Sequence, residues 1–441
     1  MKMHVPSFLG TAALMQAAAS LQSETSCPEQ GATEFALTYG DPLLSYRKTF
    51  IGRLDKIGLN QLLTTTQLST PSETATVKPN VDTLYMSQCY EVSEKDIVVN
   101  IGEVEPGRYY SVAFYTAYGD NYLSLGALTS AKSGKYLLTL TTSSIKSGTI
   151  EISNSSDYQG TIYSPGTIGF FLVRIAVRDR VADLLAVQKI QRGFSTTLVT
   201  RGSASVGPPL SAELFRNTSG TQEAYLLSLT GRFLNTVPQA TDAAYSASVT
   251  SQYAYSTSGS FLEKLSNGWT VPRSNKIGLY GTDYTARAYV ARWGYLAMTD
   301  EEALYPSYMS GFSLQSNESY VLTFSGRPPV KDVGFWSLTM YNSAGYLVAN
   351  DLNRYSLGDK DNLTLPDATP IYSQAGKRDE PFDILVQAAR PPANWTTNWL
   401  PSPATPGSFD MLCKTNPCDF MRLWMDFGMG RTYILRYEKV S

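Results

Sequence analysis

Histidine is nearly missing from this sequence: the one copy is His4, close to the start of 441 residues. Serine–histidine–aspartate hydrolysis, histidine-assisted acid–base chemistry and most zinc or copper sites therefore have no imidazole to use. Beyond the N-terminus no apolar run approaches the roughly 20 residues that a membrane span requires. Clusters of Lys and Arg are also lacking, and the 36 basic residues are outnumbered by 38 acidic ones. Nucleic acids and anionic membranes, which attract basic patches, are thus not expected partners. Neither a Gly-x-Gly-x-x-Gly turn after a strand nor a P-loop occurs, so no cofactor is expected.

The N-terminus does carry an apolar stretch, Val5 to Ala19, behind Met1-Lys2-Met3-His4. A positive start, a short apolar core and an exit of small residues describe a secretory signal over 1–19, with cleavage expected near Ala19 or Ser20. Pro6 and Gly10 interrupt it as a helix, and no polar face accompanies it, which disfavours a buried N-terminal helix. Cleavage removes Lys2 and His4, taking the formal net charge from −2 to about −3 and leaving a secreted chain without histidine. In an oxidising compartment the four cysteines read as two disulfides. The short loop makes Cys413 with Cys418 a natural pair, leaving Cys27 with Cys89. The spacing completes no zinc site. Asn-x-Ser/Thr acceptors at Asn154, Asn217, Asn317, Asn362 and Asn394, joined to a secretory signal, point to a glycoprotein.

A mature chain of about 420 residues exceeds one comfortable core, so two or three packed units are expected. From Val77 to about Val177 short apolar, β-branched and aromatic runs alternate with Gly, Pro and Ser, as in Arg108-Tyr109-Tyr110-Ser111-Val112-Ala113-Phe114-Tyr115. This texture predicts an antiparallel sandwich or barrel. From Arg178 the period turns helical, with Val181, Leu184, Leu185, Val187 and Ile190 on one broad face. Gln222–Leu234, Asp242–Leu265 and Asp283–Met298 are further helical candidates. From Ser319 onward β texture returns. The fold class is therefore mainly β with a helical insert (α+β): an N-terminal β unit over 20–178, a helical middle over 179–310 and a C-terminal β unit over 311–441, with jelly-roll-like sandwiches bracketing the helices. A pseudo-repeat aligns Tyr109–Tyr115 with Phe335–Tyr341, each followed by a Ser-Leu-Gly ending at Gly126 and Gly358. Shared strand chemistry is the other explanation.

Several short segments concentrate side chains that could line a pocket. In Lys78-Pro79-Asn80-Val81-Asp82-Thr83-Leu84-Tyr85, polar groups crowd a turn entering a strand, although Asn and Asp also do this simply to bond backbone amides. Tyr115, Tyr118, Asp120, Asn121 and Tyr122 suit an apolar ligand or equally a core. In Asn350-Asp351-Leu352-Asn353-Arg354-Tyr355-Ser356 the Arg fork suits an oxygen-rich substrate and the Tyr a proton, or Arg354 pairs with a structural acid. Asn394-Trp395-Thr396-Thr397-Asn398-Trp399-Leu400-Pro401-Ser402-Pro403 reads as a rigid surface loop.

Together these segments resemble the paired domains of unknown function 1254 and 1214. The first is matched by Pro79-Asn80-Val81-Asp82-Thr83-Leu84-Tyr85, by Gly107-Arg108-Tyr109-Tyr110, and by the passage with Arg174, Asp183 and Gln188. The second is matched by Phe335-Trp336-Ser337-Leu338-Thr339-Met340-Tyr341, Asn353-Arg354-Tyr355-Ser356 and Asn398-Trp399-Leu400-Pro401. The Cys413 to Cys418 segment departs from the usual closing strand. Secreted, glycosylated fungal members of similar build resemble the hetero-Diels–Alderases of tropolone-sesquiterpenoid pathways. That resemblance implies dehydration of a tropolone alcohol to an o-quinone methide, which adds across an alkene of a humulene-type terpene. Such a reaction needs no nucleophile or metal, only two partners held together and a donor on the heterodiene oxygen. On this reading the partners are small molecules. Arg354 holds the tropolone oxygens, Tyr355 or Asp82 helps water depart, and Asn80, Tyr85, Tyr115, Tyr118, Trp336 and Tyr341 line a cleft shared by the two β units. The rivals are a glycan- or small-molecule-binding sandwich without catalysis, and a hydrolase with paired carboxylates, for which no convincing pair is visible.

Overall fold

The computed structural model describes residues 28–440, apart from 75–76, 142–147, 153–156, 202–210, 217–241, 266–267, 275, 309–310, 329, 374–379 and 419–433. The expected signal peptide, Cys27, Asn154, Asn217 and the Gln222–Leu234 candidate helix lie outside them.

Ten strands build the N-terminal unit. β1 (Leu63–Thr64), β2 (Thr83–Glu91), β4 (Tyr110–Thr116), β5 (Asn121–Gly126) and β9 (Ile168–Ala176) form one sheet in the order β1-β2-β9-β4-β5. β3 (Lys95–Ile101), β6 (Gly134–Leu140), β7 (Thr149–Ile152), β8 (Gly160–Ser164) and β10 (Ser195–Thr200) form the second, in the order β10-β3-β6-β8-β7. Alternation assigns the faces. Leu84, Met86, Val112, Phe114, Phe171, Val173 and Ile175 pack on Ile97, Val99, Ile101, Leu138 and Ile162 of the second sheet. The opposite face of the first sheet is buried as well, which is why β9 reads as a continuous apolar run, buried at every residue.

Part of that opposite face is covered by two helices absent from the expected N-terminal β unit, α1 (Pro28–Gly40) and α2 (Pro42–Ile57). Pro42 opens α2 at a position where its missing N–H costs nothing. Leu43, Tyr46 and Phe50, spaced along one face, meet Cys89, Tyr115, Phe170 and Leu172. The helical middle is shorter than expected: α3 (Leu184–Gln191), α4 (Asp242–Ser256) and α5 (Tyr284–Gly294) are helical, whereas 195–200, 262–264 and 269–272 are strands. The broad apolar face expected from Val181 onward is only partly buried: Val187 is inside with Leu184 and Ile190 packed against the same core, whereas Val181 is 86% and Leu185 76% exposed.

The C-terminal unit pairs a seven-stranded sheet with a four-stranded one. The larger contains β11 (Leu262–Lys264), β12 (Trp269–Pro272), β13 (Ser307–Tyr308), β14 (Phe312–Leu314), β16 (Val330–Asn342), β17 (Ser356–Gly358) and β20 (Gly407–Cys418). The smaller contains β15 (Ser319–Phe324), β18 (Phe382–Gln387), β19 (Trp399–Pro401) and β21 (Ile434–Val440). Trp336, Leu338, Met340, Met411 and Cys413 face Leu322, Phe324, Ile384 and Val386 between them. The chain is thus mainly β with a helical insert, as expected.

The pseudo-repeat is realised in register. Ser111 pairs with Gly126 across one hairpin and Ser337 with Gly358 across the other. A Cβ on Gly126 would lie 2.3 Å from the Tyr110 carbonyl oxygen, and one on Gly358 would lie 2.1 Å from that of Trp336. The same close strand approach requires glycine in both copies. The aromatic that starts each copy meets the other across the junction, with the Tyr109 and Phe335 rings 5.9 Å apart.

Two disulfide expectations fail. Cys413 and Cys418 both lie on β20, five extended residues apart. At about 3.3 Å per residue this is roughly 16 Å, beyond the 7 Å or so that a disulfide spans. Cys89 is a free, buried thiol.

Candidate functional site

Where the two units meet, polar side chains gather around Asp82. This residue stands just before β2, and its carboxylate, 2% exposed, accepts a hydrogen bond from Ser337 Oγ of β16 at 2.6 Å. Arg180, between β9 and α3, lies 3.6 Å from the same carboxylate and pairs with Asp361 at 2.6 Å. Lys360 Nζ donates to the Asp82 carbonyl at 3.2 Å and sits 3.8 Å from the centre of the Phe335 ring. Burial alone would raise the Asp82 carboxyl, but Lys360, Arg180, Lys414 and the Ser337 hydroxyl together hold it below its ordinary value. Asp82 is therefore a carboxylate at neutral pH and no proton donor.

Asp359 behaves oppositely. Burial raises it to about 7, against the opposing pull of Lys360 and of the Trp336 amide, which donates to it at 3.1 Å. A carboxyl balanced near neutrality can give and take a proton at working pH.

Beside this network a pocket of about 310 Å³ opens between the units. Arg178 and Arg180 line it from one side, Arg354 and Lys360 from the other, facing only Asp179 and Asp361, so cations outnumber carboxylates. The linker carrying Arg178 and Arg180 is anchored by Arg108, whose fork grips Asp183 through bonds of 2.6 and 2.8 Å. That pairing gives the Gly107-Arg108-Tyr109-Tyr110 and Asp183 motifs a positioning role. Among the described residues no group of His, Cys, Asp and Glu gathers to hold a metal, and no helix is long and apolar enough to cross a membrane.

The residues singled out in the sequence divide into three groups. Arg354 and Asp82 belong to this site. Arg354 Nη1 donates to the carbonyls of Thr396 at 2.6 Å and Trp399 at 2.9 Å, tying down that loop while the rest of the fork has no partner among the described residues. Asn80 makes the plain turn bond, accepting from the Asp82 amide at 2.6 Å, and Tyr355 donates to Asn353 Oδ1 at 2.9 Å near the surface.

Tyr85, Tyr115 and Tyr341 lie deeper, the first two in the cluster of the first sheet that α2 partly covers and Tyr341 beside Val81 and Leu412 at the junction. Tyr115 and Tyr341 are fully buried, and Tyr341 donates to the Pro79 carbonyl at 2.9 Å.

Trp336 and Tyr118 are elsewhere. Trp336 points to the opposite face of β16, into the C-terminal core, and donates to Tyr372 Oη. Tyr118 stacks on Arg287 of α5, 4.5 Å from the guanidinium. Neither lines the expected cleft. Arg180, Lys360, Asp359 and Lys414 were not anticipated, and Arg174 was named only among the residues that match the family. The readable signal for Arg174 is a charge in the middle of an apolar strand.

Residues 59–198 match the family model described as Protein of unknown function (DUF1254), and residues 302–415 the one described as Protein of unknown function (DUF1214). The chain belongs to this paired DUF1254/DUF1214 family. The fold is similar to that of the VPA0106 protein from Vibrio parahaemolyticus, with a TM-score of 0.63 at 16% identity over 94% of this chain and 100% of that one. A lesser similarity, TM-score 0.45 at 13% identity over 98% of this chain and 95% of the other, is to an uncharacterized protein from Burkholderia cenocepacia. No curated protein matches the sequence. In this chain the Asp82 turn and the Ser337 strand meet, one from each matched region.

Proposed function

We propose that the DUF1254/DUF1214 chain is a cofactor-independent cyclase of the hetero-Diels–Alder type, secreted and glycosylated, whose cationic pocket takes the acidic oxygens of a tropolone. The observation that carries this reading is the imbalance of charge in a pocket walled by both units, with part of the Arg354 fork unused. A tropolone is an acidic, planar enolone, and a guanidinium fork is the side chain that best matches adjacent oxygens.

The chemistry then follows in two steps. Asp359, which adjoins Lys360 behind the lining of the pocket and is half protonated near pH 7, supplies a proton through solvent in the pocket to the departing hydroxyl of a tropolone alcohol, and water leaves with the electrons of the C–O bond. The tropolone hydroxyl loses its proton, which restores the acid, and the product is an o-quinone methide. Its C=C–C=O heterodiene then adds across a terpene alkene, forming one C–C and one C–O bond with no redox change. Arg354, Arg180 and Lys360 favour both steps by stabilising charge that builds on the ring oxygens. Asp82 fixes the positions of Arg180 and Lys360 rather than assisting the loss of water.

Exposure of Asn317, Asn362 and Asn394 agrees with glycan attachment, and Asn362 stands on the rim of the pocket. The rival of a sugar-binding sandwich is weakened because Tyr115, Trp336 and Tyr341 are buried and offer no stacking platform. A thermal-shift screen of tropolones, terpenes and oligosaccharides tests the reading. Stabilisation by tropolone and not by sugars supports it, and the reverse overturns it.

A further inference from the structure

Of the four cations on the pocket wall, two are committed to the protein itself. Arg180 divides its guanidinium between Asp361 at 2.6 Å, Ser356 Oγ at 2.7 Å and the Asp82 carboxylate at 3.6 Å. Lys360 reaches the Asp82 carbonyl and carries its ammonium over the Phe335 ring. The two carboxylates of the wall are engaged as well. Asp179 accepts from the amides of Val181 and Ala182 at 2.8 and 2.7 Å, and Asp361 from Arg180 and from the Gly358 amide at 2.8 Å.

Arg178 is held differently at its two ends. Its backbone is fixed, because its amide donates to Asp183 Oδ2 at 2.7 Å and Arg108 grips the same carboxylate. Its side chain is 49% exposed and makes one ion pair among the described residues, with Glu105 at 3.7 Å, which is beyond hydrogen-bond range. A pair so long and so exposed contributes little. Glu105 does not depend on it, since Arg108 Nε already donates to that carboxylate at 2.5 Å. Glu105 is not among the residues that line the pocket, whereas Arg178 is.

We propose that Arg178 is the second binding arm of the pocket: its guanidinium exchanges Glu105 for the oxyanion of the ligand, which is then held between Arg178 on one wall and Arg354 on the other. The inference rests on the anionic ligand proposed above and not on the reaction assigned to it. Arg178 and Arg354 are the two wall cations with guanidinium N–H groups left to give, and forks from opposite sides suit a planar ligand whose oxygens sit on neighbouring carbons. Glu105 competes with the ligand for Arg178 and so tunes affinity without touching it.

The test is calorimetric titration of the whole chain with tropolone and, separately, with benzoate, at low salt and about pH 8, where an ordinary carboxylic acid is ionised. Arg178→Gln should weaken binding about three- to tenfold. Glu105→Gln, which keeps an acceptor for Arg108 but removes the competing charge, should tighten it about two- to fivefold. In the double variant that gain should vanish, because no guanidinium is left to release. Wild-type affinity in Arg178→Gln, no gain in Glu105→Gln, or a gain that persists in the double variant overturns the proposal. This pattern with benzoate but no binding of tropolone would support the role of Arg178 and overturn the tropolone reading instead, and binding of neither anion overturns both. Should Arg178→Gln fail to fold, Arg178→Lys, which keeps the charge but not the fork, should show part of the same loss, and no loss at all overturns the proposal.

Discussion

Replacing Asp82 by Asn removes one charge from the junction while keeping the shape and the acceptor for Ser337. The carboxylate is 2% exposed, receives a 2.6 Å bond from Ser337 and lies between Arg180 and Lys360. Breaking a buried pair by removing one partner costs about 3–5 kcal/mol. Here Arg180 retains Asp361 and its side chain is 28% exposed, so the cost should fall to or below the bottom of that range, about 2–3 kcal/mol at neutral pH. Ser337→Ala removes a single charge-assisted bond and should cost about 1.5–3 kcal/mol. Because the two act on one oxygen pair, their effects should fall short of additive by about 0.5–3 kcal/mol.

The assay is urea unfolding of the two single variants and the double variant, repeated down a pH series. Asp82 is held below its ordinary value in the folded chain, so its contribution is full above the unfolded carboxylate value, about 3.9, and is lost as pH falls through the folded one. The gap between wild type and Asp82→Asn should thus be widest near neutrality and close in acid. An Asp82→Asn chain as stable as wild type at pH 7, or a gap that does not close, refutes this account of the junction.

Three further expectations concern the site and its scaffold. Arg354→Ala should slow conversion about ten- to a hundredfold, or 1–3 kcal/mol, and Arg354→Lys should keep the charge but not the fork; a folded Arg354→Ala with full rate and selectivity makes Arg354 a loop clamp alone. Asp359→Asn should abolish an acid-dependent limb that falls as pH rises through about 7, and should raise thermal stability most above that pH, where the wild-type carboxyl is charged while buried; an unchanged pH–rate profile counts against Asp359 as proton donor. Gly358→Ala should lower the unfolding midpoint by an amount equivalent to about 1–3 kcal/mol, because the new methyl meets the Trp336 carbonyl; calorimetric scanning that finds no change removes the steric argument for the repeat.

Strand texture made the two β units legible, and the Tyr109–Tyr115 and Phe335–Tyr341 echo pointed to a repeat, although the Ser111–Gly126 and Ser337–Gly358 pairing within it came only from the structure. The site was legible only at Asp82 and Arg354, because its other members are scattered singly. Arg180 follows a strand, Asp359 and Lys360 follow the Gly358 turn, and proximity arises only when the units dock. Trp336 was misplaced although the alternation that defines its strand already separates it from Tyr341, five residues on and therefore on the other face. Helical period misled at Val181 and Leu185, since spacing reports which residues share a face and not whether anything covers it. The α1 and α2 helices were not expected, although Leu43, Tyr46 and Phe50 recur at helical spacing.

The most direct measurement incubates the whole protein with a tropolone alcohol and humulene and follows product mass and chirality. A single enantiomer of a dehydrated one-to-one adduct, formed with wild type and lost with Arg354→Ala, is the result expected. Racemic product at the rate found without protein, alongside saturable tropolone binding, would mean that the pocket binds but does not catalyse.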